Sequence, residues 1–397
     1  MSLPPHIQER SRIPNTIGYY AAFIVLGLMV AVSGPALPTL AERTHSRLDQ
    51  FSFVLAVKAL GYLFGGLLGG RLYDRLPGHL LMAGMLFAAG AFASLVPFIS
   101  WLWLMAVVLF LLGFTEGTID VGGNSLLGWV HGSKVGPFMN GLHFFFGVGA
   151  LLAPTIFAQV MLLTGHINWA FWIFALIALP VGLYVMRLPS PVPPAAPRDE
   201  PAALVRRSLV ALFVFFFFVY VCAEAGYSNW IYTYAVTLNL SSRTMAAYLT
   251  STFWGSFTLG RLLGVPIATR FKPQVMLYTD MVGCLVSLGV ILLWPGSAVA
   301  LWVGTLSVGF SMASIFPSAM VLAGQRMHLT GGITGLYLMG AGAGGMFLPW
   351  FIGQMFERIG PGVTMDIILV VVIVNLGSLV LLTGSQRRGS ELSQEAA

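Results

Sequence analysis

LLGFTEGTIDVGGNSLLGWV, residues 111–130, places Glu116, Asp120 and Asn124 inside an apolar segment running from about Trp101 to Val130. About 20 apolar residues suffice to cross a bilayer, so this segment reads as a membrane span. A spacing of four puts the three polar residues on one slowly drifting helical stripe, roughly 12 Å long at about 1.5 Å rise per residue. Each carboxyl group at that depth costs at least ~2.5 kcal/mol, so the stripe must face a polar cavity or a partner and not lipid. The rest of the chain is expected to build that cavity.

The composition agrees. Of 397 residues, 57% are hydrophobic and only 9% are charged, which excludes an ordinary soluble domain. The formal net charge of +6 does not point to nucleic acid, because the basic residues stand singly at the ends of apolar segments without forming a basic face. Cys222 and Cys284 fall within apolar segments and read as inert packing residues. No metal, cofactor or P-loop pattern occurs, and there is no Ser-His-Asp constellation, so an enzyme is not expected.

Hydropathy divides the chain into twelve candidate helices, roughly 17–41, 51–72, 79–99, 101–130, 136–163, 168–188, 208–236, 244–269, 273–294, 298–325, 331–356 and 363–383. The run 17–41 is too long for the core of a signal peptide and is taken as the first span. With the N-terminus inside, 14 basic residues fall on the side of the termini. Only Arg43, Arg47, Arg243 and Arg358 fall on the other, which makes both termini cytoplasmic.

Residues 189–207, rich in proline and charge, read as a cytoplasmic linker between six-helix halves at 17–188 and 208–383, with tails at 1–16 and 384–397. The halves repeat. Leu67-Leu68-Gly69 and Arg75 recur 195 residues on as Leu262-Leu263-Gly264 and Arg270, as do Gly147, Gly149 and Pro154 as Gly342, Gly344 and Pro349. At 196, Gly113-Phe114-Thr115 and Ile119 recur as Gly309-Phe310-Ser311 and Ile315. The expected fold is therefore an all-α integral membrane bundle, two parallel six-helix repeats with a site between them near the midplane, the architecture of a secondary transporter. Glu116 and Asp120 correspond to Met312 and Phe316, so helix packing common to both halves does not require the two carboxylates.

Other polar groups lie inside the spans. Glu224, at the depth of Glu116, stands among Tyr220, Tyr227, Asn229, Trp230 and Tyr234, and aromatic faces beside amides and a carboxylate suit a polyhydroxylated ligand. An interfacial aromatic belt is the competing account, strongest for Tyr232 and Tyr234. His143, with Asn140, is expected at the level of Asp120 and Asn124, where an Asp–His bond would tune a protonation switch; a merely helix-bridging bond is the alternative. Arg261 and Asp280, at similar depth on consecutive helices, suggest a structural ion pair, with substrate contact as the alternative. Lys58 either snorkels to the interface or meets an acid.

The segment GGRLYDRLPGH resembles the loop signature of the major facilitator superfamily: Gly70, Asp74 and Arg75 fit, Gly78 is displaced by one place, and His79 stands where an arginine is expected. IDVGGNSLL (119–127), GPFMNGLHFFFGVGALLAP (136–154), YVCAEAGYSNWIYTY (220–234) and YLTSTFWGSFTLGRLLG (248–264) resemble the branch that contains fucose:proton symporters and sodium-dependent glucose transporters. The resemblance implies cation-coupled import of a hexose or similar polyol through the plasma membrane, the inner membrane in a bacterium, by a monomer. In the fucose symporters an acid on the first helix works with one on the fourth, but here Gly34 and Pro35 stand on the first helix. The resulting expectation assigns substrate to Glu116, Asn140, Glu224, Tyr227, Asn229 and Trp230, and the proton or sodium ion to Asp120, Asn124 and His143. The rivals are a proton-coupled exporter of an amphiphile and a non-transporting membrane sensor or enzyme.

Overall fold

The computed structural model of the protein describes residues 5–192, 207–327 and 331–395. Most of the expected linker, including Arg198 and Arg206, lies outside them. The first half comprises α1 (Pro5–Ala31), α2 (Ser33–Arg43), α3 (Leu48–Tyr73), α4 (Gly78–Leu95), α5 (Leu102–His131), α6 (Gly136–Thr164) and α7 (Asn168–Met186). The second comprises α8 (Arg207–Thr237), α9 (Arg243–Ala268), α10 (Pro273–Leu293), α11 (Ala298–Met312), α12 (Ile315–Arg326), α13 (Gly331–Ile359) and α14 (Val363–Glu395).

Two of the expected spans are broken. α1 and α2 form one column interrupted at Val32, just before Gly34-Pro35, where proline withholds a backbone donor. α11 and α12 form another, interrupted at Ala313-Ser314. Twelve columns result among the described residues, and eleven of them are both long and apolar enough to cross a membrane. The remaining one, α9, has the length, but threonines, serines and two arginines dilute its apolar character. α1 and α14 also extend beyond the apolar spans, so the expected tails 1–16 and 384–397 are partly helical. Elsewhere local chemistry sets the ends. α6 stops where Gly165 takes a φ of 71°, and Ser242 caps α9 by accepting the Met245 N–H at 3.2 Å.

The most extensive contacts join helices that are not consecutive. α3 packs on α5, α1 on α6 and α4 on α7; in the second half α8 packs on α13 and α14, and α9 and α10 pack on α11. The halves meet along α3 with α13 and α6 with α9, and α2 crosses α8. α5 and α12 pack extensively only within their own halves.

The polar bonds that join the halves gather at the face opposite the termini. Glu357 accepts the Leu48 N–H at 2.9 Å, Gln354 donates to the Asp49 carbonyl at 2.8 Å, Thr155 and Ser251 hydroxyls meet at 2.9 Å, and Arg243 pairs with Glu42 at 3.5 Å. These contacts tie α3 to α13, α6 to α9 and α2 to α9 at this far face.

Candidate functional site

The α3–α5 seam brings the stripe of residues 116–124 to its partners. Glycines let the two backbones touch: a Cβ on Gly113 would come within 2.1 Å of the Lys58 carbonyl oxygen, and one on Gly117 within 2.0 Å of that of Tyr62. Gly61 and Gly65 repeat the contact from the other side, against the carbonyls of Phe110 and Phe114. Small residues at such spacing let membrane helices approach to backbone contact. Side chains one turn apart on each helix then face each other in register.

Two pairs follow from that register. Lys58 Nζ lies 3.0 Å from Glu116 Oε1, with side chains only 10% and 2% exposed. One turn on, the Tyr62 hydroxyl donates to Asp120 Oδ2 at 2.7 Å, and Asn124 Nδ2 donates to Oδ1 at 3.1 Å and to the Asp120 carbonyl at 2.9 Å. Asp120 is half-buried and has no cation within 4 Å among the described residues. Asp120 and Asn124 therefore stand together, whereas Glu116 is buried against Lys58. Tyr62 was missed in the sequence, although the steps 58–62 and 116–120 share the same spacing.

His143 does not join this group. Phe23, from α1, lies between them: its ring fills the notch at Gly123 of α5, and the His143 ring meets it edge-on at 6.0 Å. The short α5–α6 connection does not bring the two faces together, because α6 packs on α1 and α9. Asn140, one turn earlier on α6, is exposed.

In the second half Glu224 is half-buried, facing Tyr220 and within electrostatic reach of Arg261. The Tyr220 hydroxyl donates to the Met312 carbonyl, at the α11–α12 break, at 3.0 Å. Tyr227 and Trp230, expected beside Glu224, bond elsewhere. Tyr227 is fully buried with its hydroxyl 2.8 Å from Thr305 Oγ1, its ring stacked on Phe253. Trp230 is equally buried and donates to the Pro349 carbonyl at 2.9 Å. Both side chains hold α8 to its own half. Asn229 donates to the Ala225 carbonyl at 2.9 Å and lies where Gly34 of α2 crosses α8.

The Arg261–Asp280 ion pair is also absent. Gly260 of α9 and Gly283 of α10 both pack on residues 310–313, so the broken column α11–α12 stands between the two helices. Arg261 instead lies over the Phe257 ring at 4.4 Å, with Nε lacking a hydrogen-bond partner, and Asp280 accepts from the Ser314 hydroxyl.

At the terminal face Asp74 and Arg75 are exposed and Gly70 has open space around it. His79 is buried: one ring nitrogen lies 2.7 Å from the Tyr19 hydroxyl, the other 3.0 Å from the Leu188 carbonyl. It ties α4 to α1 and to the start of the linker.

The offset between the halves exposes an exchange of roles. Met29 corresponds to Glu224 at 195 residues, and Glu116 to Met312 at 196. Each half thus carries one acid and one methionine at the same two positions, in opposite order.

Comparison with known proteins agrees with this architecture. The mouse (Mus musculus) sodium-dependent glucose transporter 1A is 31% identical over 84% of this chain and 88% of its own length. The human (Homo sapiens) major facilitator superfamily domain-containing protein 4A is 30% identical over 88% of each. Among solved structures, a D-xylose-proton symporter superposes with a TM-score of 0.74 at 14% identity, covering 93% of this chain and 97% of its own. The nucleoside transporter NupG reaches 0.70 at 15%, covering 94% and 98%. The family model described as Major Facilitator Superfamily matches residues 19–349. With twelve columns in two repeated halves and a family model matched over most of its length, the chain belongs to the major facilitator superfamily of membrane transporters.

Proposed function

We propose that the protein imports a sugar by alternating access, driven by a proton or sodium ion that binds at Asp120. The observation that carries this reading is a surplus of carboxylates. Away from the ends of the spans, the described residues hold four acids, Glu116, Asp120, Glu224 and Asp280, against two fixed cations, Lys58 and Arg261. A low-dielectric interior does not tolerate two uncompensated charges, so two carboxylates need protons or small cations. Asp120, held by Tyr62 and Asn124 but by no cation, fits a group that is loaded and unloaded during transport. Substrate is assigned to the space bordered by Glu224, Asn229 and Asn140.

Sodium-dependent glucose transport in relatives 30–31% identical supports the sugar and the coupling. On this reading the termini and linker are cytoplasmic, and the bonds at the far face close the outward side. One cation descending a 100 mV potential contributes ~2.3 kcal/mol, which sustains a roughly 40-fold substrate gradient.

The test is uptake into proteoliposomes under separately imposed pH and sodium gradients, over a panel of hexoses, pentoses and nucleosides. Saturable accumulation of a sugar driven by one of the two gradients is expected. Accumulation of no panel member, with gradient-driven extrusion of an amphiphile instead, would establish the exporter.

A further inference from the structure

The neighbourhood of Lys58 has the form of a cation site. Three oxygens of three chemical kinds converge on its ammonium: the Met29 carbonyl at 3.1 Å, Ser33 Oγ at 2.9 Å and Glu116 Oε1 at 3.0 Å. Met29 and Ser33 flank the α1–α2 break, and carbonyls at such breaks coordinate coupling ions in broken-helix transporters. The ammonium donates hydrogen bonds to Met29 and Ser33. Glu116 Oε1 supplies the third oxygen and the one full negative charge facing the ammonium. A carbonyl, a hydroxyl and a carboxylate are a hard oxygen set, suited to a small alkali cation. In the second half Phe253 stands 195 residues on from Lys58, so this cradle with its fixed charge belongs to the first half alone.

We propose that the Lys58 ammonium is a tethered cation filling an alkali-ion cradle made by the Met29 carbonyl, Ser33 and Glu116, which confines ion exchange to Asp120 one turn away. The inference rests on the reading of Asp120 as the coupling group. A tethered charge keeps Glu116 neutralised throughout the cycle and contributes nothing to the ion's stoichiometry. Removing the lysine side chain leaves both the space and the uncompensated carboxylate that a free sodium or lithium ion requires.

The experiment compares purified K58A/D120N, D120N and K58A/D120N/E116Q by thermal unfolding in sodium, lithium, potassium and choline chloride at one ionic strength. Stabilisation by a ligand follows its concentration over its dissociation constant, so a filled cradle raises the midpoint by about 3 °C, saturably. Sodium or lithium is expected to do this for K58A/D120N, with no such effect in D120N or in the triple variant. Equal midpoints in all four salts for K58A/D120N overturn the proposal, and so does the same alkali-specific rise in D120N. The triple variant, which removes every charge in question, is the folding control. If it is recovered folded while K58A/D120N is lost in every salt, the cradle does not accept an alkali ion. Gradient-driven accumulation by D120N would instead overturn the Asp120 reading and leave the cradle's own result standing.

Discussion

Lys58 and Glu116, on α3 and α5, form an ion pair that is almost entirely withdrawn from solvent. Breaking a buried pair from one side leaves a stranded charge and typically costs ~3–5 kcal/mol, whereas removing both charges costs far less. Lys58→Met is therefore expected to lower stability by about that amount, and K58M/E116Q to recover most of it. Denaturation of the three proteins in one detergent measures this; equal losses in the single and double variants would remove the ion pair as the cause.

The seam that aligns this pair rests on glycine. A side chain at Gly117 meets the Tyr62 carbonyl at 2.0 Å, and backbone does not yield as a flexible side-chain tip does. Gly117→Val should push α3 from α5 and cost ~1–3 kcal/mol or more, the range for overpacking. Gly84→Ala, on α4 where an added Cβ meets nothing within 4 Å, should leave stability within ~0.5 kcal/mol. Thermal unfolding of the two variants side by side checks the contrast.

Asp120 and Glu224 are predicted to separate coupling from binding. Asp120→Asn should abolish gradient-driven accumulation while energy-independent exchange persists, because only the coupling charge is lost. Glu224→Gln should weaken substrate binding with or without a gradient. Tyr62→Phe removes a hydrogen bond to a charged acceptor, worth ~1.5–3 kcal/mol, and should shift the cation concentration for half-maximal uptake without removing exchange. Accumulation that survives in Asp120→Asn, together with a Glu224→Gln variant that loses coupling alone, would reverse the two roles.

Closure of the far face depends on close approach between α3 and α13. A Cβ on Gly353 would lie 2.3 Å from Ser52 Cβ, at the point where the Ser52 hydroxyl reaches the Trp350 carbonyl at 3.3 Å. Gly353→Val should hold this face open and slow transport while the protein remains folded. Glu42→Gln should do little, since the Glu42–Arg243 pair is more than half exposed and such pairs contribute ~0–1 kcal/mol. Labelling of a cysteine introduced at Thr233, now buried below this face, reports the difference: faster modification is expected with Gly353→Val and an unchanged rate with Glu42→Gln.

Much of the architecture is legible in one dimension. Bilayer thickness demands long apolar runs, and the duplicated motifs 195 residues apart divide the chain into halves. The acids at 116, 120 and 224 stand out for the same reason: in such runs a charge needs an explanation. The two helix breaks were not visible in hydropathy, because a broken column is as apolar as a whole one.

The partners of those acids were decided by tertiary structure. Sequence neighbours are a poor guide to spatial neighbours in this fold: α5 packs on α3 and not mainly on α6, and α11–α12 separates α9 from α10. His143 therefore parts from Asp120, Arg261 parts from Asp280, and Lys58, whose two possible fates the sequence left open, meets Glu116. Tyr227 and Trp230 share a stretch with Glu224, yet helical rotation turns them into their own half. Apolar length and repeated motifs are properties of the chain and can be read along it. Which side chains meet depends on helix order in space and on rotation about each axis, and packing of small residues such as Gly113 and Gly117 sets both.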